Sequence, residues 1–163
     1  MSEHLPKVTY IIIGSKERLS RVKSYQIEKG AECLLCPFQS LEELPSLLDL
    51  KIAELDSSVI SLIPAGAFPK KDARAQLEHF SGSEFHFWGW YHFGNKFKGA
   101  AQSIGKINTL LNKVPQLEQG IFFSRPLYFS VGGLGDSGLN PFAELAKRFY
   151  LRLDPQNPLP SLT

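Results

Sequence analysis

The chain has 163 residues, enough for one domain with a buried core and too few for two ordinary domains. Hydrophobic residues make up 43% and charged residues 21%, a balance that excludes an intrinsically disordered chain. The net charge of +2, without any basic run or repeated basic face, argues against a nucleic-acid-binding protein.

The first residues, MSEHLPKVTYIIIG, show no basic leader and no small cleavage-site residues after the apolar run. No stretch approaches the roughly twenty apolar residues that cross a bilayer. We therefore expect a cytoplasmic protein without a signal peptide or transmembrane segment. Association with a membrane surface stays open.

Three strand–helix units are predicted in the first half of the chain. The apolar run Val8–Ile13 does not alternate, which is typical of a strand covered on both faces. A Ser15 cap and a Gly30 stop predict a helix between them. The second unit is AECLLCPF as a buried strand, followed by SLEELPSLLDLKIAEL as a helix or as two short helical turns interrupted at Pro45, with Ser40 and Glu43 spaced like a capping box. The third unit is the strand SSVISLIP and a helix that starts at Pro69.

This order predicts an α/β fold with a largely parallel sheet. Ligands of such sheets bind beyond the carboxyl ends of the strands. We therefore expect the loops at Gly14, at Pro37 and at Ala65–Phe68 to form a pocket floor, with Gly14, Ala65 and Gly66 as candidate substrate-binding residues.

Cys33 and Cys36 form a C-x-x-C pair, a spacing found in zinc and redox sites. A zinc site needs two further ligands, and the four histidines have no compact spacing that supplies them. Residues three apart on a strand face opposite sides. We interpret both cysteines as structural.

The stretch SEFHFWGWYHFG predicts an aromatic strand. Alternation places Phe87 and Tyr91 on one face and Trp88 and Trp90, flanked by histidines, on the other. The Trp/His face is either core or the lining of a ligand cleft or partner interface, and Trp88 and Trp90 are candidates for substrate binding.

The last third is predicted to continue with an amphipathic helix in NKFKGAAQSIGKINTLLNKVP, a strand in GIFFS and a short helix in RPLYFSVGG. A Gly-rich loop and a final helix in NPFAELAKRFYLRL follow. The Pro-rich residues 154–163 are expected to be extended or disordered, outside a single domain of residues 1–153.

The segment EQGIFFSRPLYFSVGGLGDSGLNPFAELAKRF resembles the C-terminal part of family 2 glycosyltransferases, which carry a D-Q-G-x-F-x-R-R-x-x-F-x-x-x-G-G-F motif. It is similar in particular to a small bacterial subgroup found with radical-SAM and selenocysteine-related operons. The resemblance implies the GT-A, nucleotide-diphospho-sugar transferase fold, a three-layer α/β/α sandwich with a mostly parallel mixed sheet.

The family's acidic positions are not matched in this sequence. The loop that holds a divalent cation in the family reads Ile63-Pro64-Ala65-Gly66-Ala67, without a carboxylate, and the catalytic acidic pair is matched by Asn140-Pro141. We expect neither a metal nor another cofactor. Loss of a catalytic base alone commonly costs about 10² to 10⁴ in rate.

Three other polar features stay open. Glu118 and Gln119 match the family motif. Glu118 is either a catalytic candidate or a solvated residue at the start of a strand. Gln119 is a candidate for substrate binding. Asp136 can replace the acidic pair as a second catalytic candidate, or simply form a turn. Lys70 and Lys71 can replace the cation as point charges, or form a solvated helix start.

The sequence therefore predicts a degenerate GT-A-like glycosyltransferase, a pseudoenzyme whose sugar transfer is lost or much reduced and which acts as a binding or partner subunit. Its expected ligand is a nucleotide or nucleotide-sugar. One alternative is an active, metal-independent glycosyltransferase. The other is a non-enzymatic homodimer in which the Trp/His strand pairs across the interface.

Overall fold

A computed structural model describes residues 7–92, 119–135 and 141–163. Five strands in these ranges form one mixed sheet in the order β2-β1-β3-β5-β4. The first three are parallel to one another, and β5 is antiparallel to both of its neighbours. The predicted α/β class is confirmed. The strands are β1 Val8–Gly14, β2 Ala31–Pro37, β3 Val59–Pro64, β4 Trp88–Trp90 and β5 Ile121–Ser124.

Helices connect and follow these strands within the same ranges. The amphipathic helix predicted over residues 95–115 lies outside the described residues, so that prediction stays untested. The helices are α1 Lys16–Ser20, α2 Leu44–Ala53, α3 Lys71–Ser81, α4 Arg125–Ser130 and α5 Pro141–Tyr150.

Two hydrophobic clusters take alternate residues of the same strands. Ile11 and Ile13 belong to the first cluster, together with residues of α2, α4 and α5. Tyr10 and Ile12 belong to the second, together with residues of α1 and α3. Successive strand residues point to opposite faces, so β1 is buried on both sides. Its unbroken apolar run predicted this burial.

The first helix is much shorter than predicted. Ser15 is its N-cap, as expected, but the helix ends at Ser20 instead of continuing to Gly30. The following residues are irregular, and Tyr25 among them stacks on Phe68 with ring centroids 4.0 Å apart. The Ser15 cap was therefore predicted correctly, whereas the stop at Gly30 was not, and the intervening Tyr25 packs on Phe68 without helical hydrogen bonds.

Two helix starts also differ from the predictions. Pro45 lies in the first turn of α2 and does not interrupt it, a position where proline costs no hydrogen bond. Ser40 does not cap this helix, and the Glu43 carboxylate instead accepts from the Gln39 N–H. Helix α3 begins at Lys71, two residues after Pro69.

Strand β2 is an edge strand and is partly exposed, so the prediction that it is buried was wrong. The predicted placement of its two cysteines is confirmed. Cys36 belongs to the first cluster, whereas Cys33 packs against the second. Both thiols are free, and burial raises the pKa of Cys33 to about 11.

The C-terminal segment, residues 154–163, is extended as predicted and packs against the sheet. Its Leu159 N–H donates to the Trp90 carbonyl at 3.0 Å, and its Gln156 N–H donates to the Trp88 carbonyl at 2.8 Å. Leu159 and Leu162 are buried in the second cluster. The segment therefore covers the outer edge of β4, where pairing with another copy had been considered.

Candidate functional site

The carboxyl ends of β1 and β3 meet at one edge of the sheet, where the loop after β3 opens onto a cleft. The Ala65 N–H donates to the Ile13 carbonyl at 2.8 Å, which extends the pairing of the two strands into the loop. We call this the carboxyl-edge cleft. Its volume is about 370 Å³, and its lining residues are Arg18, Arg21, Val22, Lys23, Tyr25, Ala65 and Gly66.

Glycine is required at two positions in the loops at this edge of the sheet, Gly14 and Gly66. A Cβ on Gly14 would lie 2.8 Å from the Cβ of Ala65, so the close approach of the two loops requires glycine at this position. Gly66 has a φ of +89°, a left-handed conformation that side chains disfavour. Of the three residues predicted to form a pocket floor, Ala65 and Gly66 line the cleft, whereas Gly14 contacts the loop at Ala65 and is not a lining residue. Pro37 is not among the residues that line the cleft.

Three cationic side chains line the cleft, and none of its lining residues within the described ranges is acidic. Arg18 donates to the Ala65 carbonyl at 3.4 Å. Arg21 pairs with Glu17 at 2.7 Å, with side chains 75% and 76% exposed, and such surface pairs contribute little and open readily. Together with Lys23 these groups favour an anionic ligand.

Tyr25 forms the aromatic border of the cleft. Its ring lies parallel to that of Phe68, with an interplanar angle of 4°. Phe68 is fixed in turn by reciprocal backbone hydrogen bonds with Thr163, at 3.0 and 3.1 Å. Burial, and to a smaller extent the neighbouring Cys33 thiol, raises the pKa of Tyr25. Its hydroxyl is therefore neutral at physiological pH and can donate a hydrogen bond.

The start of β5 reaches the same edge of the sheet, because β5 runs antiparallel to β3 and Ile121 lies opposite Leu62. Gln119, just before β5, is 3% exposed and donates from its amide to the Tyr91 carbonyl at 3.4 Å. The structure thus brings Gln119 to the same edge as Gly14, Ala65 and Gly66. The catalytic candidates Glu118 and Asp136 lie outside the described residues.

Trp88 belongs to the first hydrophobic cluster, and Trp90 packs against it. Trp88 is 0% exposed, and its ring packs edge-on against Tyr150 at 4.7 Å. Trp90 is partly buried and packs against the first cluster. The predicted alternation is confirmed, because Phe87 and Tyr91 belong to the second cluster. Trp88 presents no surface to a ligand or partner, which agrees with the core interpretation of this face.

The sequence did not indicate that Asp49 holds the Gly-rich loop after α4. One oxygen of its carboxylate accepts from the Tyr128 hydroxyl and from the Leu134 N–H at 2.9 Å, and the other accepts from the Gly135 N–H at 2.9 Å. Arg148 donates to the carbonyls of Gly133 and Leu134 at 2.6 and 2.8 Å. The loop that leads to residue 136 is therefore anchored on both sides.

The described part of the chain offers little to a divalent cation. No group of three or more His, Cys, Asp or Glu side chains in residues 7–92, 119–135 and 141–163 is arranged to hold a metal ion. The loop after β3 has no carboxylate, and hard cations need carboxylate or carbonyl oxygens in number. Lys70 and Lys71 are exposed at the start of α3 and do not line the cleft.

Comparison with protein-family models and with curated proteins finds no match to this chain. Among the helices that the structure describes, none combines the length and the apolar character needed to cross a membrane.

Proposed function

We propose that this chain binds the diphosphate of a nucleotide or nucleotide-sugar in the carboxyl-edge cleft, without a divalent cation. In this proposal it is a three-layer, GT-A-like relative of family 2 glycosyltransferases whose sugar transfer is lost or greatly reduced. It acts as a binding or partner subunit.

The observation that supports this proposal best is the set of cations around the cleft. The loop after β3 lies beside three cations, Arg18, Arg21 and Lys23. In the glycosyltransferase family that this sequence resembles, the corresponding loop carries a metal-binding carboxylate. Guanidinium groups bind phosphate oxygens through paired, charge-assisted hydrogen bonds, so they can neutralise a diphosphate without a metal. Tyr25 adds an aromatic ring and a neutral hydroxyl at the border of the same cleft.

The test is isothermal titration of the purified chain with UDP and with GDP, each with and without manganese. We expect binding that does not depend on manganese and that weakens as salt rises. Arg18→Gln is expected to weaken it by about tenfold, the loss of one charge-assisted hydrogen bond. Lys147→Gln, an exposed change on α5, is the matched control and should leave the affinity unchanged.

Either of two outcomes would contradict the proposal. Absence of binding under every condition would show that the cleft does not bind a nucleoside diphosphate. Binding that requires manganese would show that the loop after β3 takes part in a metal site despite its lack of carboxylates.

An active, metal-independent transferase is the second candidate function. The observation in its favour is that both acidic candidates adjoin anchored residues. Gln119, which bonds to the Tyr91 carbonyl, directly follows Glu118 in the sequence, and the Gly-rich loop held by Asp49 directly precedes Asp136. Turnover of a nucleotide-sugar that is lost in Glu118→Gln or Asp136→Asn, with nucleotide binding retained, would favour this function over a binding subunit.

A further inference from the structure

The C-terminal segment connects the β4 edge of the sheet to the loop that borders the carboxyl-edge cleft. At β4, the Leu159 N–H donates to the Trp90 carbonyl at 3.0 Å, and the His92 N–H donates to the Leu159 carbonyl at 2.8 Å. At its other end, Thr163 and Phe68 donate to each other's carbonyls at 3.0 and 3.1 Å. The Thr163 hydroxyl adds a third hydrogen bond to the Phe68 carbonyl at 3.2 Å.

Phe68 transmits the position of this junction to Tyr25. Its side chain is 4% exposed, and its ring packs on that of Tyr10 in β1 with centroids 5.2 Å apart. A ring packed in a dense interior moves together with its own backbone. The Tyr25 ring is stacked on Phe68, so a shift of the Phe68 backbone displaces the surface on which Tyr25 lies.

Tyr25 has little backbone support of its own. Residues 23–27 form no backbone hydrogen bond with any residue of 7–92, 119–135 and 141–163. Their neighbours Val22 and Glu28 are held by packing against the second cluster and by an ion pair with Arg74 at 3.0 Å. Side-chain contacts therefore hold this segment, and the stack on Phe68 orients the Tyr25 ring at the border of the cleft.

We propose that Thr163 is a positioning residue for the carboxyl-edge cleft and acts through Phe68 on the Tyr25 ring. Thr163 does not line the cleft, so its effect on a ligand is indirect. The inference rests on the proposed function, because the affinity that it changes is that for a nucleoside diphosphate. Coupling between two sites is reciprocal, so a bound ligand should in turn hold the C-terminal segment in place.

Titration of the full chain with UDP tests this coupling. Thr163→Pro removes both donors to the Phe68 carbonyl and should weaken binding by about fivefold, the low end of usual coupling between sites. Thr163→Val keeps both backbone hydrogen bonds and is the matched control, with a change of less than about twofold expected. In the wild type, UDP should slow hydrogen exchange at the amides of Phe68 and Thr163.

Two further variants separate positioning from a general effect on the fold. In a chain that already carries Tyr25→Ala, Thr163→Pro should leave the UDP affinity unchanged, because the ring through which Thr163 acts is gone. Phe68→Leu keeps the backbone hydrogen bonds to Thr163 and removes the stacked ring. It should reproduce the loss of affinity without any change in the C-terminal segment.

Nuclear magnetic resonance of the ligand-free chain gives a readout that needs no nucleotide. The Phe68 ring lies parallel to the Tyr25 ring at 4.0 Å, so its ring current displaces the Tyr25 ring resonances, which comparison with Tyr25→Phe identifies. In Thr163→Pro these resonances should move toward those of an unstacked tyrosine. In Thr163→Val they should stay in place.

Three results would overturn the inference: UDP binding by Thr163→Pro as tight as in the wild type, a loss of affinity that persists in the Tyr25→Ala chain, or Tyr25 resonances that do not move in Thr163→Pro. A wild-type chain that does not bind UDP would overturn the proposed function and, with it, the effect on affinity. The Tyr25 resonances would then decide the positioning role alone.

Discussion

Asp49 connects helix α2 to the distant Gly-rich loop through its carboxylate. It accepts hydrogen bonds from a buried tyrosine and from two backbone N–H groups of the Gly-rich loop. A carboxylate accepts several such bonds at once, whereas an amide offers one acceptor oxygen and two donors. The position of the loop therefore depends on the charge and the two acceptor oxygens of the carboxylate, and a side chain of the same size without them does not replace it.

Asp49→Asn should lower the free energy of unfolding by about 2 kcal/mol, because charge-assisted hydrogen bonds are lost and a backbone donor faces an amide donor. Urea unfolding followed by circular dichroism measures the change. Asp56→Asn, at an exposed loop position, is the control and should stay near the wild-type stability. Equal stability of the two variants would show that the loop does not need the carboxylate.

The sequence predicted the cysteines well and Asp49 not at all, and the reason is the range of the interaction. The opposite faces of Cys33 and Cys36 follow from strand alternation alone. Asp49 is one of three polar residues on α2, with Ser46 and Lys51, and polar residues on such a helix are usually exposed to solvent. Its partners lie 79 to 86 residues away, and no local pattern indicates them.

At the level of elements, strands were predicted better than helices. β1 and β3 are continuous apolar runs buried on both faces, and only a central strand in a covered sheet satisfies such a run. The segment after α1 has apolar residues at helical spacing, yet Tyr25 packs on Phe68 in an irregular conformation. These apolar side chains pack against the second cluster although the backbone is not helical. Tertiary packing had overridden a weak local preference.

The C-terminal segment should contribute to the stability of the whole domain. Leu159 is 1% exposed within the second cluster, and truncation of a buried leucine to alanine commonly costs about 2 to 5 kcal/mol. Leu159→Ala should therefore lower the urea midpoint clearly. Tryptophan fluorescence is a suitable probe, since the segment bonds to both Trp88 and Trp90.

The control for this prediction is Leu151→Ala, because Leu151 is 85% exposed and such surface changes usually stay within about 0.5 kcal/mol. If Leu159→Ala were as stable as the control, the segment would be an appendage of the domain. Residues 154–163 would then be dispensable for the fold, as the sequence interpretation had placed them.

For the whole molecule, the sequence located the edge of the sheet that carries the cleft but not the side chains that define it. The rule that ligands bind at the carboxyl ends of parallel strands pointed to the edge where Ala65 and Gly66 line the cleft, whereas a role of these residues in ligand binding stays a prediction. The cations were missed because Arg18, Arg21 and Lys23 belong to no motif and were not singled out within the predicted helix. Arg18 lies within the short helix α1, and Arg21 and Lys23 follow its end at the border of the cleft.

The whole fold should also lose stability in alkaline solution. Burial raises the pKa of Cys33 from its ordinary value of 9.0 to about 11, and it raises the pKa values of Tyr10, Tyr91 and Tyr128 above 10.0. The folded chain therefore keeps protons that the unfolded chain releases. Stability is complete below about pH 9 and falls as the pH rises through the folded-state values.

Urea unfolding at about pH 8 and at about pH 10.5 measures this loss. In Cys33→Ala the thiol no longer titrates, so the decline between pH 9 and about 11 should become shallower while the contribution of the buried tyrosines remains. Wild-type stability that stays constant to about pH 10.5 would contradict the prediction, because every buried group named here loses its proton more easily when the chain unfolds.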